Sequence, residues 1–295
     1  MKAIITLVLC TLLISCNDHK SVAIVTTIKP IQMLVTAIAG EQLKSVQLIP
    51  DGVSPHHYAL KPSDTKQLHS ASLIFRIDDD FEIFLNKSLQ QINQNTSVVS
   101  LANVEGVQLI SLNKDHEDHE EHHVYSHSKD LHIWLDPNNA IAMSRIIAKK
   151  LAEIDPKHKQ DYNDRMNQLI TKIQVADEKL KIKLKPMSNK AFMVFHNGWG
   201  YFEKHYGLKN ITVINQSPTA QLGVAKVKVI RNMIKRKKIE CLFSEPQSKA
   251  AILQTLIKGS HAKASKLDIL GSQIKINSDS YIELLDSIAD GLLNC

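Results

Sequence analysis

Fourteen histidines occur in the 295 residues, and they fall into two settings that imply different chemistry. The first is a tract in which His116, His119, His122, His123 and His127 alternate with Asp115, Glu117, Asp118, Glu120 and Glu121. No apolar residue interrupts it before Val124, so it has nothing to bury and reads as an exposed loop spanning 115–127. Imidazole mixed with carboxylate suits borderline divalent metals, and without fixed geometry each such site should be weak and exchangeable. A merely solubilising loop is the competing reading. The second setting is isolated histidines: His56 in Ser54-Pro55-His56-His57-Tyr58, His132 in Asp130-Leu131-His132-Ile133-Trp134, and His196 in Phe195-His196-Asn197-Gly198-Trp199. Taken singly, each reads as a structural histidine. Together, in loops that follow predicted strands, they read as convergent metal ligands.

The elements that would position them alternate. Val22 to Ile28 and Val46 to Pro50 are β-branched apolar runs, and Pro30 opens a helical stretch that Gly40 ends. Helices are predicted from Pro62 to about Ala71 and from Phe81 to Ile92, with strands at Leu73 to Ile77 and Val98 to Leu101. Strand–helix alternation of this kind predicts an α/β fold with mostly parallel sheets. In such sheets ligands bind beyond the carboxyl ends of the strands, where these histidines lie. From Pro156 the pattern changes: Tyr162, Met166, Leu169, Ile173, Ala176, Leu180 and Leu184 recur at spacings of three and four. That spacing predicts one helix of roughly 28 residues, about 42 Å long, joining two halves. Strands at Ala191 to Phe195, Ile211 to Ile214 and Cys241 to Phe243 then resume the alternation.

The ends of the chain carry their own signals. Lys2 followed by the apolar run Ala3 to Ile14 is too short to span ~30 Å of hydrocarbon and reads as a secretory segment. It ends in Leu13-Ile14-Ser15-Cys16, which resembles a bacterial lipobox whose cysteine is acylated; an ordinary cleaved signal is the alternative. With Cys10 removed and Cys16 lipidated, Cys241 and Cys295 remain. Export permits a disulfide between them, against two unpaired thiols, and such a bridge would stabilise by roughly 3–4 kcal/mol on a chain-entropy account. Apolar content of 43% and charged content of 22% fit a globular chain. The net charge of +6 invites a nucleic-acid partner, but aromatics make up only 5% and none interleaves with a basic patch. The run Lys235-Arg236-Lys237-Lys238 reads as cations at a helix C-terminus.

Five ordered segments carry a specific resemblance: GVSPHHYALKPSD (52–64), DLHIWLDP (130–137), VFHNGWGYFEKHYGL (194–208), CLFSEPQ (241–247) and the last stretch from Leu267 to Cys295. From about residue 22 onward the chain resembles the ZnuA-like zinc-binding members of the ABC-transporter solute-binding family. The resemblance implies two Rossmann-like lobes joined by a long rigid helix, with metal in the inter-lobe cleft. Boundaries follow as 1–16 for the lipoprotein signal, 17–154 for the first lobe, 155–186 for the linker helix and 187–295 for the second lobe. It further implies His56, His132 and His196 as ligands, with His57 outside the shell, and a cysteine pair at Cys241 and Cys295. The fourth position is open between Asp268 of Leu267-Asp268-Ile269-Leu270-Gly271 and water, since Pro55 stands where some relatives place an acid.

Three imidazoles with a carboxylate or water suit tetrahedral zinc. Manganese-type relatives place a carboxylate at the position of His196, so that residue separates the subfamilies, although copper(II) would bind imidazole more tightly still. The resemblance thus implies an exported zinc receptor, a monomer, that serves the permease of an ABC importer. A receptor for manganese or another divalent metal, or a metal-carrying adhesin, is the alternative. A zinc hydrolase is disfavoured because no recognisable general base accompanies His56, His132 and His196, and Glu203 and Glu245 read as a helix face and a pre-proline turn.

Overall fold

The computed structural model describes residues 23–111, 129–208, 210–215, 221–248 and 250–295. The lipobox cysteine Cys16 and the tract carrying His116, His119, His122, His123 and His127 lie outside the described residues.

The first half forms a four-stranded parallel sheet. Strands β1 (Ala23–Thr26), β2 (Ser45–Gln47), β3 (Ala71–Arg76) and β4 (Ser97–Ser100) order as β2-β1-β3-β4. Helices α1 (Lys29–Ala39), α2 (Pro62–Ser70) and α3 (Ile83–Leu89) connect them. The third helix starts later than the apolar pattern predicts, because a buried carboxylate fixes the chain before it. Glu82 accepts the Thr27 hydroxyl (2.6 Å) and the amides of Ile77 and Asp78. Phe81 is therefore left outside the helix, where its ring is free to face His56 and His132. A short antiparallel pair, β5 (Ile110–Ser111) with β6 (Lys129–Asp130), leads to helix α4 (Pro137–Ile154). The strand–helix reading leaves α4 out, yet its start is signalled locally: Asp136 accepts the Asn138 amide as N-cap and Pro137 sits in the first turn.

The long helix is α5 (Lys159–Leu184), 26 residues, flanked by single 3₁₀ turns at 156–158 and 185–187. It is stitched to both halves. Arg165 donates to the carbonyls of Ile38 and Ala39 at the end of α1. On its other turns Asp177 meets His205 at 2.7 Å and Lys172 meets Asp279 at 2.5 Å. Its buried stripe, Tyr162, Leu169, Ile173, Leu180 and Leu184, contributes roughly 1.5–3 kcal/mol per side chain.

The second half repeats the parallel design. Strands β7 (Phe192–His196), β8 (Asn210–Asn215), β9 (Cys241–Ser244) and β10 (Lys263–Lys266) order as β10-β9-β7-β8. Helices α6 (Gly200–Tyr206), α7 (Val224–Arg236), α8 (Ala250–Ile257) and α9 (Ser280–Leu293) complete it. Alternation along β7 separates two apolar cores. Phe192 and Val194 join a cluster that runs through α5 into the first sheet, while Met193 and Phe195 pack with Ile230 and Ile234 of α7. The inward core is thus continuous between the halves, which limits independent movement of either. A disulfide joins Cys241 at the start of β9 to the last residue, Cys295.

Candidate metal centre

Each histidine reaches the centre by a different local device. His56 lies in a 3₁₀ turn, Pro55–His57, whose proline fixes the first turn after β2. His132 sits between β6 and the 3₁₀ turn Ile133–Leu135, and His196 ends β7. One ligand-capable nitrogen from each lies within 4.8 Å of the others, and ring centroids are 5.0–5.5 Å apart. His132 is 5% and His196 2% exposed, so both are inside the protein.

Two of the rings are held by carboxylates. Asp130 Oδ1 lies 2.7 Å from His132 Nδ1 and also accepts the His132 amide. Glu245 Oε1 lies 2.6 Å from His196 Nδ1. A carboxylate at Nδ1 fixes the tautomer with its proton there, leaves the Nε2 lone pair to a metal and raises ligand basicity. His196 Nε2 is buried and has no hydrogen-bond partner among the described residues. Glu245 is therefore more than a pre-proline turn: extending the β7–β9 register from Val194↔Phe243 by two residues puts His196 opposite Glu245. Glu203 also departs from a plain helix face. Burial, reinforced by the charge of Asp130, pushes its carboxyl up to about 7.

Apolar and cross-lobe contacts complete the setting. Phe81 stands edge-on to His56 and His132, at centroid distances of 5.3 and 5.7 Å. Trp134 lies against His132 and donates its indole N–H to the Ile269 carbonyl at 2.8 Å. Tyr281 donates to the Trp134 carbonyl and Tyr201 to the Asp130 carbonyl, each at 2.7 Å. The second half thus grips the His132 loop at three points. Gly198 allows this closeness: a Cβ there would lie 2.9 Å from His196 Cε1 and 3.0 Å from His132 Nε2. The Gly198 and Gly200 pair in HNGWG was the available sequence signal for that approach, since a Cβ at Gly200 would press on Asp130 Oδ2 at 2.9 Å.

Asp268 is not grouped with the three histidines among the described residues. Its Oδ1 accepts the amides of Leu270 and Gly271, and its Oδ2 accepts the amide and hydroxyl of Ser272. Both oxygens are occupied in closing the loop 268–272. Gln247 lines the histidine cavity instead, and its Oε1 and Nε2 are buried without partners among the described residues.

The pattern of the ZnuA family, described as zinc-uptake complex component A, periplasmic, matches residues 24–295. The chain belongs to the ZnuA family. It is 32% identical to the high-affinity zinc uptake system protein ZnuA of Yersinia pestis over 93% of this chain and 91% of that protein. The protein of the same name from Brucella abortus (strain 2308) is 30% identical over 92% of this chain and 91% of its own length. Among solved structures, a zinc-bound ZnuA deletion mutant superposes with a TM-score of 0.76 at 25% identity, covering 93% of this chain and 97% of that one. The expected α/β architecture, with two parallel sheets and a long joining helix, is that of the ZnuA fold. Among the described residues no helix is long and apolar enough to cross a membrane.

Proposed function

We propose that this chain is the extracytoplasmic receptor that captures Zn²⁺ and hands it to the permease of an ABC importer. The observation that carries this reading is the convergence of His56, His132 and His196, drawn from three separate segments, on one small cavity. Three imidazole nitrogens suit a tetrahedral d¹⁰ ion. Both carboxylates beside them are engaged at Nδ1 positions, which orients ligands rather than leaving a base aimed at a substrate. Water completes the shell in this reading. The engagement of both Asp268 oxygens by their own loop supports it, as does the unpartnered amide of Gln247 in the cavity wall.

The two lobes, 17–154 and 187–295, stay in place while zinc enters and leaves, because the helix at 155–186 and a shared core bind them together. Small movement of the His56 loop releases the ion to the docked permease. That loop is held to the second lobe by Lys29, whose Nζ lies 2.7 Å from Asp51 and 3.0 Å from the Ser272 carbonyl. The acylated Cys16 keeps the monomer at the membrane, and the loop 115–127 gathers zinc through weak sites.

Metal analysis and competitive titration of the chain from Asn17 onward test the reading. One tight zinc per chain, together with failed growth of a deletion strain under chelation, is the expected result. A tight preference for manganese, or zinc uptake that survives deletion, would overturn it.

A further inference from the structure

Charge is distributed unevenly along this molecule. Residues 204–267 contain thirteen Lys and Arg against only Glu240 and Glu245, a net +11 in a chain whose total is +6, so the remainder is net negative. The excess is concentrated on α7 and its end: Lys226, Lys228 and Arg231, followed by the run 235–238. Apart from Arg231, these cations are exposed, and among the described residues none of the group forms a salt bridge. The cations Lys172, Lys181 and Lys183 of α5 behave differently, each lying within 3.4 Å of an aspartate or glutamate.

Helix stability accounts for only part of this. Lys235 and Arg236 in the last turn complement the helix dipole, but Lys226 lies in the first turn, where a positive charge is unfavourable and no acid is present. The inner face of α7 is already used, since Ile230 and Ile234 are buried against the second sheet. What remains outward is a basic surface carrying Val224 at 89% and Val229 at 55% exposure. Arg231 also donates to the Lys258 carbonyl, which holds the end of α8 beside it.

We propose that the outer face of α7 is a docking surface for anionic phospholipid membrane. Unpaired cations around protruding valines fit a headgroup layer, where charge attracts and short apolar side chains enter the interface. No aromatic residue occurs on α7 to stack a base, which disfavours a nucleic acid. The face lies on the opposite side of the second sheet from the inter-lobe core, so a membrane held there leaves the histidine centre untouched.

The test is co-sedimentation of the chain from Asn17 onward, which has no acyl group, with vesicles of phosphatidylcholine alone or mixed with phosphatidylglycerol. Binding to the mixed vesicles alone, reversed by high salt, is expected. The Lys235→Glu/Lys237→Glu variant should bind at least ~10-fold more weakly, given the contribution of each cation near an anionic surface. Its zinc titration should be unchanged, which reports that the fold is intact. Lys66→Glu/Lys87→Glu, the same charge change on exposed positions of α2 and α3, should bind as the parent does. Equal loss in both variants would reduce the effect to net charge and overturn the proposal. So would binding to neither vesicle, which would leave an acidic protein surface as the occupant.

Discussion

His132 and His196 carry the same device, a carboxylate at Nδ1, built in two different ways. Asp130 is two residues from its histidine, and one of its oxygens holds both the ring and the backbone of that loop. Glu245 is 49 residues from His196 and meets it only because β9 lies beside β7. His205 is a third case with the opposite outcome. Asp136 at 3.3 Å and Asp177 at 2.7 Å occupy both of its ring nitrogens, so it holds α4, α5 and α6 together and has no lone pair for a metal. An imidazole with one nitrogen claimed by an acid keeps the other to offer a metal, whereas one with both claimed is a strut.

The comparison can be broken most directly at the ligand itself. His196→Ala should abolish tight zinc binding in a competitive titration, a larger loss than the ~10–100-fold expected when an orienting partner is removed. An unchanged titration would remove His196 from the site. Glu245→Gln and Asp130→Asn should each fall within that ~10–100-fold range, with Glu245→Gln the more damaging because the Asp130 loop keeps its other anchors. Equal affinity for Glu245→Gln and the parent would show that the strand-borne pair has no bearing on zinc.

Gly198→Ala sharpens the comparison by pressing on both rings at once. Overpacking costs ~1–3 kcal/mol, so zinc affinity should drop about tenfold while the zinc-free protein still unfolds cooperatively. A smaller effect is expected from pH. Burial alone would depress His205, but its bonds to Asp136 and Asp177 outweigh that and raise its pKa. Such a group stabilises fully below its unfolded value of about 6.5, and the contribution is lost as pH rises through the higher folded value. Urea midpoints of the zinc-free protein should therefore carry an alkaline decline that His205→Gln flattens; parallel curves would contradict the strut. Asp268→Asn should have the least effect on zinc, leaving affinity within the error of the titration. A large loss there would return Asp268 to the ligand shell.

Much of the site was legible because its signals are local. Pro55, Asp130, Pro137 and the glycines of HNGWG lie within a few residues of what they control, and Asp130 could have been recognised from its spacing to His132. Glu245 could not, because its role depends on strand order. Asp268 illustrates the converse: its motif places it correctly in the chain, yet Leu270, Gly271 and Ser272 take up its oxygens. The apolar spacing at Phe81 continues the helical pattern, and only the buried Glu82 carboxylate sets the boundary after it.

By itself the sequence determined the alternation of strands and helices, the long connecting helix and the three histidines, since periodicity and strand-end placement are properties of neighbouring residues. Tertiary structure alone decided which carboxylates sit at Nδ1 of His132 and His196, and that the Asp268 oxygens are engaged by Leu270, Gly271 and Ser272. Those choices depend on distances between segments as far apart as Trp134 and Ile269, and no local pattern encodes such a distance.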